Sequence, residues 1–236
     1  MRMRRKKNGA ARLAACAHLL CGLPDAPKAD ASADFGREVP LALEIGCGKG
    51  SFACGMAEAH PDRCFYAMER VADVMVTAVE RAQACAERRP DNLRFIIADA
   101  DTLPAWFAPG SLQEIYLNFS DPWPKKGYAK RRLTHRDRLR LYFSLLGEGG
   151  RLYVKTDNEG LFAFTLEELA ALGCKLLYTT DDLHASPYAA GNIMTEYERN
   201  FAAQGMPIHA LCAERGSYMP AALADAVPAE SAEASR

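Results

Sequence analysis

Leu41-Ala42-Leu43-Glu44-Ile45-Gly46-Cys47-Gly48-Lys49-Gly50 is an apolar strand running into a glycine-rich turn, and Ser51–Glu58 behind it carries a helical pattern. Glycines in such a turn allow positive φ and let backbone amides approach a ligand closely. The spacing is G-x-G-x-G, one residue shorter than the G-x-G-x-x-G of a dinucleotide fingerprint, and Glu44 precedes the turn by two residues. A carboxylate there can hold an ammonium group, directly or through water.

Outward from this turn, short β-branched or aromatic runs alternate with helical patterns, as in βαβ units. Strands are predicted at Leu41–Ile45, Cys64–Glu69, Leu93–Ala98, Glu114–Asn118, Arg151–Thr156, Lys175–Thr180 and Glu196–Phe201, and helices at Ser51–Glu58, Val71–Arg88, Thr134–Leu146 and Gly160–Leu172. Turns are expected at His60-Pro61-Asp62, Arg89 to Asn92, Pro109-Gly110-Ser111 and Gly147 to Gly150. The fold class is α/β, a mostly parallel, seven-stranded, doubly wound sheet, whose ligands sit outside the carboxyl ends of the strands.

The acidic strand ends fall in register with that rule. Glu69 closes the second strand, where it can accept from both hydroxyls of a ribose, and Asp99-Ala100 follows the third, facing an adenine amine. Three acidic strand ends beside a G-x-G-x-G turn suit S-adenosylmethionine, which has an amino-acid end, a ribose and an adenine but no pyrophosphate. A nicotinamide enzyme is the weaker reading.

After the fourth strand comes Phe119-Ser120-Asp121-Pro122-Trp123-Pro124-Lys125-Lys126-Gly127-Tyr128-Ala129-Lys130-Arg131-Arg132-Leu133. Two prolines stiffen it, and a rigid aromatic beside a carboxylate suits a flat base. Between Lys125 and Arg140 stand eight Lys/Arg against one acidic residue, Asp137. On a chain of 236 residues with net charge −1, this is a concentrated phosphate-binding strip. Arg136, Arg138 and Arg140 also fit a solvated helix face.

The stretch Phe119–Leu133 resembles the signature loop of the bacterial tRNA (guanine-N7-)-methyltransferases. The resemblance extends through Glu44–Gly50, Glu69, Asp99-Ala100, Lys155-Thr156-Asp157-Asn158 and Thr195-Glu196-Tyr197-Glu198, and the start Met-Arg-Met-Arg-Arg-Lys-Lys is similar too. It implies a Rossmann-like class I methyltransferase that moves a methyl group from S-adenosylmethionine to N7 of a guanine in the tRNA variable loop. It further implies that Glu44, Gly46, Gly48, Gly50, Glu69, Asp99, Ala100 and Asp121 line the cofactor pocket, with Asp121 catalytic. Lys125, Lys130, Arg131, Arg132, Asp157, Thr195, Glu196, Tyr197 and Glu198 would contact tRNA, Asp157 or Glu198 reading the guanine edge. The family usually has Arg-His where Gly127-Tyr128 stand. An exocyclic-amine methyltransferase, with a D/N-P-P-aromatic loop, is a rival that Asp121-Pro122-Trp123 matches in part. A catalytically silent RNA-binding module is another, and it has no need of the acidic strand ends.

The remaining features set the frame. The eight cysteines form no C-x-x-C pair or zinc-finger spacing, so no metal is expected and they read as buried thiols of a reducing cytoplasm. No apolar run is long enough to span a membrane. Met1–Lys7 is basic and Leu13–Leu23 mildly apolar, the outline of a secretory signal. Its Ala, Cys and His18 content favours a basic arm and a short amphipathic helix. The expected organisation is an arm and linker over 1–36, a methyltransferase domain over 37–218 and a disordered tail over 219–236. The partner is tRNA, with no obligatory protein partner, the chain acting as monomer or homodimer.

Overall fold

The computed structural model describes residues 6–22, 34–84 and 91–215. The basic residues before Lys6, most of the linker, the end of the helix expected to reach Arg88, and the tail lie outside these.

One seven-stranded sheet runs in the order β3-β2-β1-β4-β5-β7-β6. Its strands are β1 (Leu41–Ile45), β2 (Cys64–Glu69), β3 (Leu93–Ile97), β4 (Leu112–Asn118), β5 (Leu146–Thr156), β6 (Lys175–Thr180) and β7 (His209–Glu214). The first five are parallel, and β7 runs antiparallel between β5 and β6. The strand order reverses between β1 and β4, so the ligand crevice belongs at the carboxyl ends of these two strands.

Both faces of the sheet are covered, and alternate residues supply the two cores. In β1, Ala42 points to one side and Leu43 and Ile45 to the other; in β2, Phe65 and Ala67 oppose Tyr66 and Met68. The first side packs on α2 (Ser51–Ala59) and α3 (Ala72–Ala84) through Phe52, Met75, Ala78 and Val79. The second packs on α4 (Leu103–Trp106), α5 (Arg136–Leu145) and α6 (Glu159–Ala171) through Trp106, Tyr142, Phe143 and Phe162. Burial on both faces is why these strands read as nearly continuous apolar runs. Each fully buried large side chain contributes about 1.5–3 kcal/mol.

The N-terminal arm is docked on this body. Its helix α1 (Gly9–Ala15) lies on α3, with Arg12 donating to both carboxylate oxygens of Glu80 at 2.6 Å and the Lys6 amide to Asp73 at 2.9 Å. Leu20 then bridges in parallel to Phe95 of β3, whose carbonyl accepts from the Cys21 amide at 2.8 Å.

Two expectations are corrected. Glu196–Phe201 is not a strand but lies in a helix, α7 (Glu196–Ala202), and the last strand is His209–Glu214. Thr195 and Glu198 form a reciprocal capping box, each side chain bonding the other's backbone amide, which starts a helix. Gly147 to Gly150 is not a free turn but part of β5, where the pairing with β4 slips between Leu112 and Glu114. The glycines absorb that irregularity.

Candidate active site

A cleft of about 770 Å³ opens at the carboxyl ends of β1, β2, β3 and β4. Gly46, Glu69, Asp99, Ala100, Asp121 and Trp123 are on its wall. Of the glycine turn, Gly46 lines the cleft, while Gly48, Gly50 and Glu44 lie outside its wall. Gly46, Gly48 and Gly50 have φ of 78°, 55° and 73°. A Cβ on Gly50 would meet the Cβ of Ala78 at 2.9 Å, so this glycine lets α3 pack close, whereas one on Gly48 would project into open space.

Glu44 sits buried behind the turn. One carboxylate oxygen accepts from Asn118 Nδ2 at 3.0 Å, and the other, Oε2, is buried without a partner. Burial pushes its pKa up to about 7, against the pull of the Asn118 hydrogen bond and nearby Lys155. An unpaired buried carboxylate oxygen is costly and suits an incoming ammonium donor. Glu69 accepts from the amides of Gly48 at 3.3 Å and Val71 at 2.9 Å, which fixes its carboxylate on the turn. Asp99 caps the short turn over Ala100–Thr102 through the Asp101 amide and faces Arg70 at 3.8 Å.

The loop after β4 is strained on either side of Asp121. Phe119 and Trp123 hold φ of 53° and 42°, left-handed values that cost non-glycine residues about 1–3 kcal/mol each. Contacts hold it there. The Phe119 amide donates to the Lys155 carbonyl at 2.8 Å, and Arg132 donates to the carbonyls of Pro122 and Trp123 at 2.9 and 3.1 Å. The Arg132 guanidinium lies 4.2 Å from the Phe164 ring centre. Asp121 is exposed at the cleft wall.

A family model described as "Putative methyltransferase" matches residues 38–211. The chain is 42% identical over 209 residues to the tRNA (guanine-N(7)-)-methyltransferase of Bacillus subtilis (strain 168), covering 89% of this chain and 96% of that one. The chain belongs to the tRNA (guanine-N(7)-)-methyltransferase family. Solved structures share the fold. The 16S rRNA methyltransferase KamB superposes with TM-score 0.60 at 16% identity, over 80% of this chain and 94% of that one. A 16S rRNA (adenine(1408)-N(1))-methyltransferase from Catenulisporales acidiphilia, solved with S-adenosylmethionine, gives 0.53 at 20% identity, over 80% and 91%.

The residues expected to meet RNA divide into two groups. Lys125 and Lys130 are exposed, as is Lys126, and none forms an ion pair among the described residues. Arg131 is exposed, with its guanidinium over the rings of Trp123 and Tyr128 at 5.1 and 4.7 Å. Asp157 follows β5 and is half-buried; Asn158, not Asp157, caps α6 by accepting from the Leu161 amide. Tyr197 is 63% exposed, its ring 6.2 Å from Phe119.

Arg132, also expected to meet RNA, is half-buried and braces the Asp121 loop through its Nε and one terminal nitrogen, as above. Thr195 is buried as a helix cap. Glu198 is wholly buried: Lys155 and the Thr195 amide reach one oxygen at 2.7 and 3.2 Å, His184 and Asn192 the other at 2.9 and 2.6 Å. Burial pushes its pKa up, but these partners outweigh it and hold the group ionised below its usual range. Such a carboxylate has both oxygens engaged inside the protein. Glu196 binds Lys49 and Arg81. Arg136 and Arg140 are exposed and paired with Glu168 and Asp137, as on a solvated helix face, whereas Arg138 is largely buried, pairs with Asp101 and lines the cleft. Sequence reasoning missed Asn118 and the buried roles of Lys155 and His184. The T-x-x-E capping pattern was the available signal for α7.

Proposed function

We propose that this chain methylates N7 of a guanine in the tRNA variable loop, with S-adenosylmethionine as donor. One observation carries the reading: Asp121, on its strained loop, shares a single cleft with Gly46 of the glycine turn, Glu69 and Asp99, and Lys130 and Arg131 of the basic loop line that same cleft. The residues fit the donor, since Glu44 has a free buried oxygen for an ammonium, Glu69 a fixed carboxylate for ribose hydroxyls, and Asp99 an acceptor for the adenine amine. When bound, the donor supplies an electrophilic sulfonium methyl.

The chain's own part is positional and electrostatic. Guanine N7 has a lone pair and no proton, so no strong general base is needed, and catalysis rests on holding N7 in line with the methyl. The purine becomes cationic as the bond forms, and the Asp121 carboxylate stabilises that charge. Asp157 accepts from the N1–H and N2 amine of guanine and rejects adenine, whose N1 is an acceptor. Lys125, Lys130 and Arg131 hold the RNA backbone. With cofactor cleft and basic loop on one chain, no obligatory protein partner is needed, and the site of action is the cytoplasm, where tRNA is modified.

The test is to incubate the protein with S-adenosylmethionine and unmodified tRNA transcript and map 7-methylguanosine by nucleoside mass spectrometry. Methyl groups on an exocyclic amine, or none, overturn the proposal.

A further inference from the structure

The segment that family resemblance assigns to tRNA is fastened to the cofactor turn. The Glu196 amide donates to Ser51 Oγ at 2.9 Å, the first residue after the glycine turn. One Glu196 carboxylate oxygen takes Lys49 Nζ at 2.6 Å and the other takes Arg81 of α3 at 2.9 Å. These bonds hold the carboxylate below its ordinary pKa, the Lys49 contact foremost. Lys49 stands between Gly48 and Gly50, both left-handed. The Gly48 amide in turn donates to Glu69, the proposed ribose carboxylate.

A continuous line of contacts therefore joins Glu69, Gly48, Lys49 and Glu196. The next residue, Tyr197, is exposed beside Phe119, at the root of the Asp121 loop. The Lys49 and Glu196 side chains are about half-exposed, so their ion pair adds little to global stability. It is well placed for a smaller task.

We propose that Glu196 is a positioning residue that couples the two substrates: a ligand engaging Glu69 fixes the Gly48–Gly50 turn, and the Lys49–Glu196 pair passes that order to Tyr197 and α7. This rests on the methyltransferase reading. Coupling between sites is a ratio of affinities and is reciprocal.

The test measures S-adenosylhomocysteine affinity by calorimetry with and without tRNA transcript, and tRNA affinity with and without S-adenosylhomocysteine. It compares wild type, Glu196→Gln, Lys49→Met and the double variant, each first checked by thermal unfolding. In the wild type each ligand should tighten the other by the same factor, about threefold to tenfold. Each single substitution should bring that factor towards one, and the double should lower it no further. A wild-type factor of one, or a factor that survives Glu196→Gln, overturns the proposal. A merely structural Glu196 would lower unfolding temperature and both binary affinities while leaving the ratio alone. A wild type that binds neither ligand overturns the function itself, which separates the two failures.

Discussion

Asn118, the last residue of β4, donates a 3.0 Å hydrogen bond to Glu44 in the neighbouring strand and satisfies only one of its two carboxylate oxygens. The strand that leads to the Asp121 loop thus orients the carboxylate proposed to receive the cofactor's ammonium group. Glu44 pays for this position by burial, which raises its pKa to about 7.

Cofactor affinity should follow that titration. A cationic amine prefers ionised Glu44, so affinity for S-adenosylmethionine should rise by up to tenfold per pH unit below about 7. It should flatten above, until the ligand's own amine deprotonates near pH ~8. Glu44→Gln should weaken binding and remove this slope. Calorimetry from pH 5.5 to 7.5 (about two units) decides it.

The same group sets a stability slope of opposite sense. The folded pKa lies above the unfolded value, so the folded apo protein binds the extra proton and loses stability as pH rises from about 4.5 through about 7, by roughly 3 kcal/mol. In Glu44→Gln this contribution should vanish from urea unfolding curves. Equal slopes in both proteins would remove Glu44 as the cause.

Asp121→Asn should keep the fold and most cofactor affinity, because Asp121 is exposed and no side-chain hydrogen bond or ion pair among the described residues depends on it. Single-turnover methyl transfer should fall about 100-fold or more, as for loss of a charge that acts on the transition state. A near wild-type single-turnover rate would take Asp121 out of the chemistry.

The basic loop should separate into two behaviours. Neutralising Lys125, Lys126 and Lys130 together should flatten the dependence of log K for tRNA on log salt by up to about 0.9 per lost phosphate contact. Arg132→Ala should leave that slope nearly unchanged and instead slow the chemical step, because it frees the carbonyls of Pro122 and Trp123 beside Asp121. Filter-binding salt titrations and single-turnover kinetics on the same variants read both.

Breaking the buried pair between β5 and α7 is a different matter. Lys155→Met leaves Glu198 fully buried without its cation, which should cost about 3–5 kcal/mol in urea unfolding. Lys155 also lies 5.0 Å from the centre of the Phe52 ring and is buried, so the methyl thioether has an apolar place to go. A loss below about 1 kcal/mol would show that the buried ions are replaceable.

The glycine turn and its strand were legible because they are local. A strand, a glycine turn and an acidic end two residues before it are written in ten consecutive residues, and β1 has the bounds expected of it. The substrate half of the site was not, because its residues are decided by contacts far along the chain. Glu198 reads as an open acid until Lys155, forty-three positions away, fills it. Arg132 reads as one more cation in a basic run until its hydrogen bonds turn it back on its own loop. His209–Glu214 is hard to see as a strand, since Ala and Cys dilute its β-pattern and only pairing with β5 and β6 fixes it.

Leu20 and Cys21 meet β3 on the margin of the sheet, and this matters for anyone who shortens the arm. A bare margin strand offers its amides and carbonyls to any extended chain, including another copy of itself. The short stretch of arm occupies part of that margin and blunts it. A truncation made to ask whether the first basic residues touch tRNA should therefore stop before Lys6. Cut beyond Leu20, the protein should self-associate, and its lost activity would report aggregation instead of a missing RNA contact.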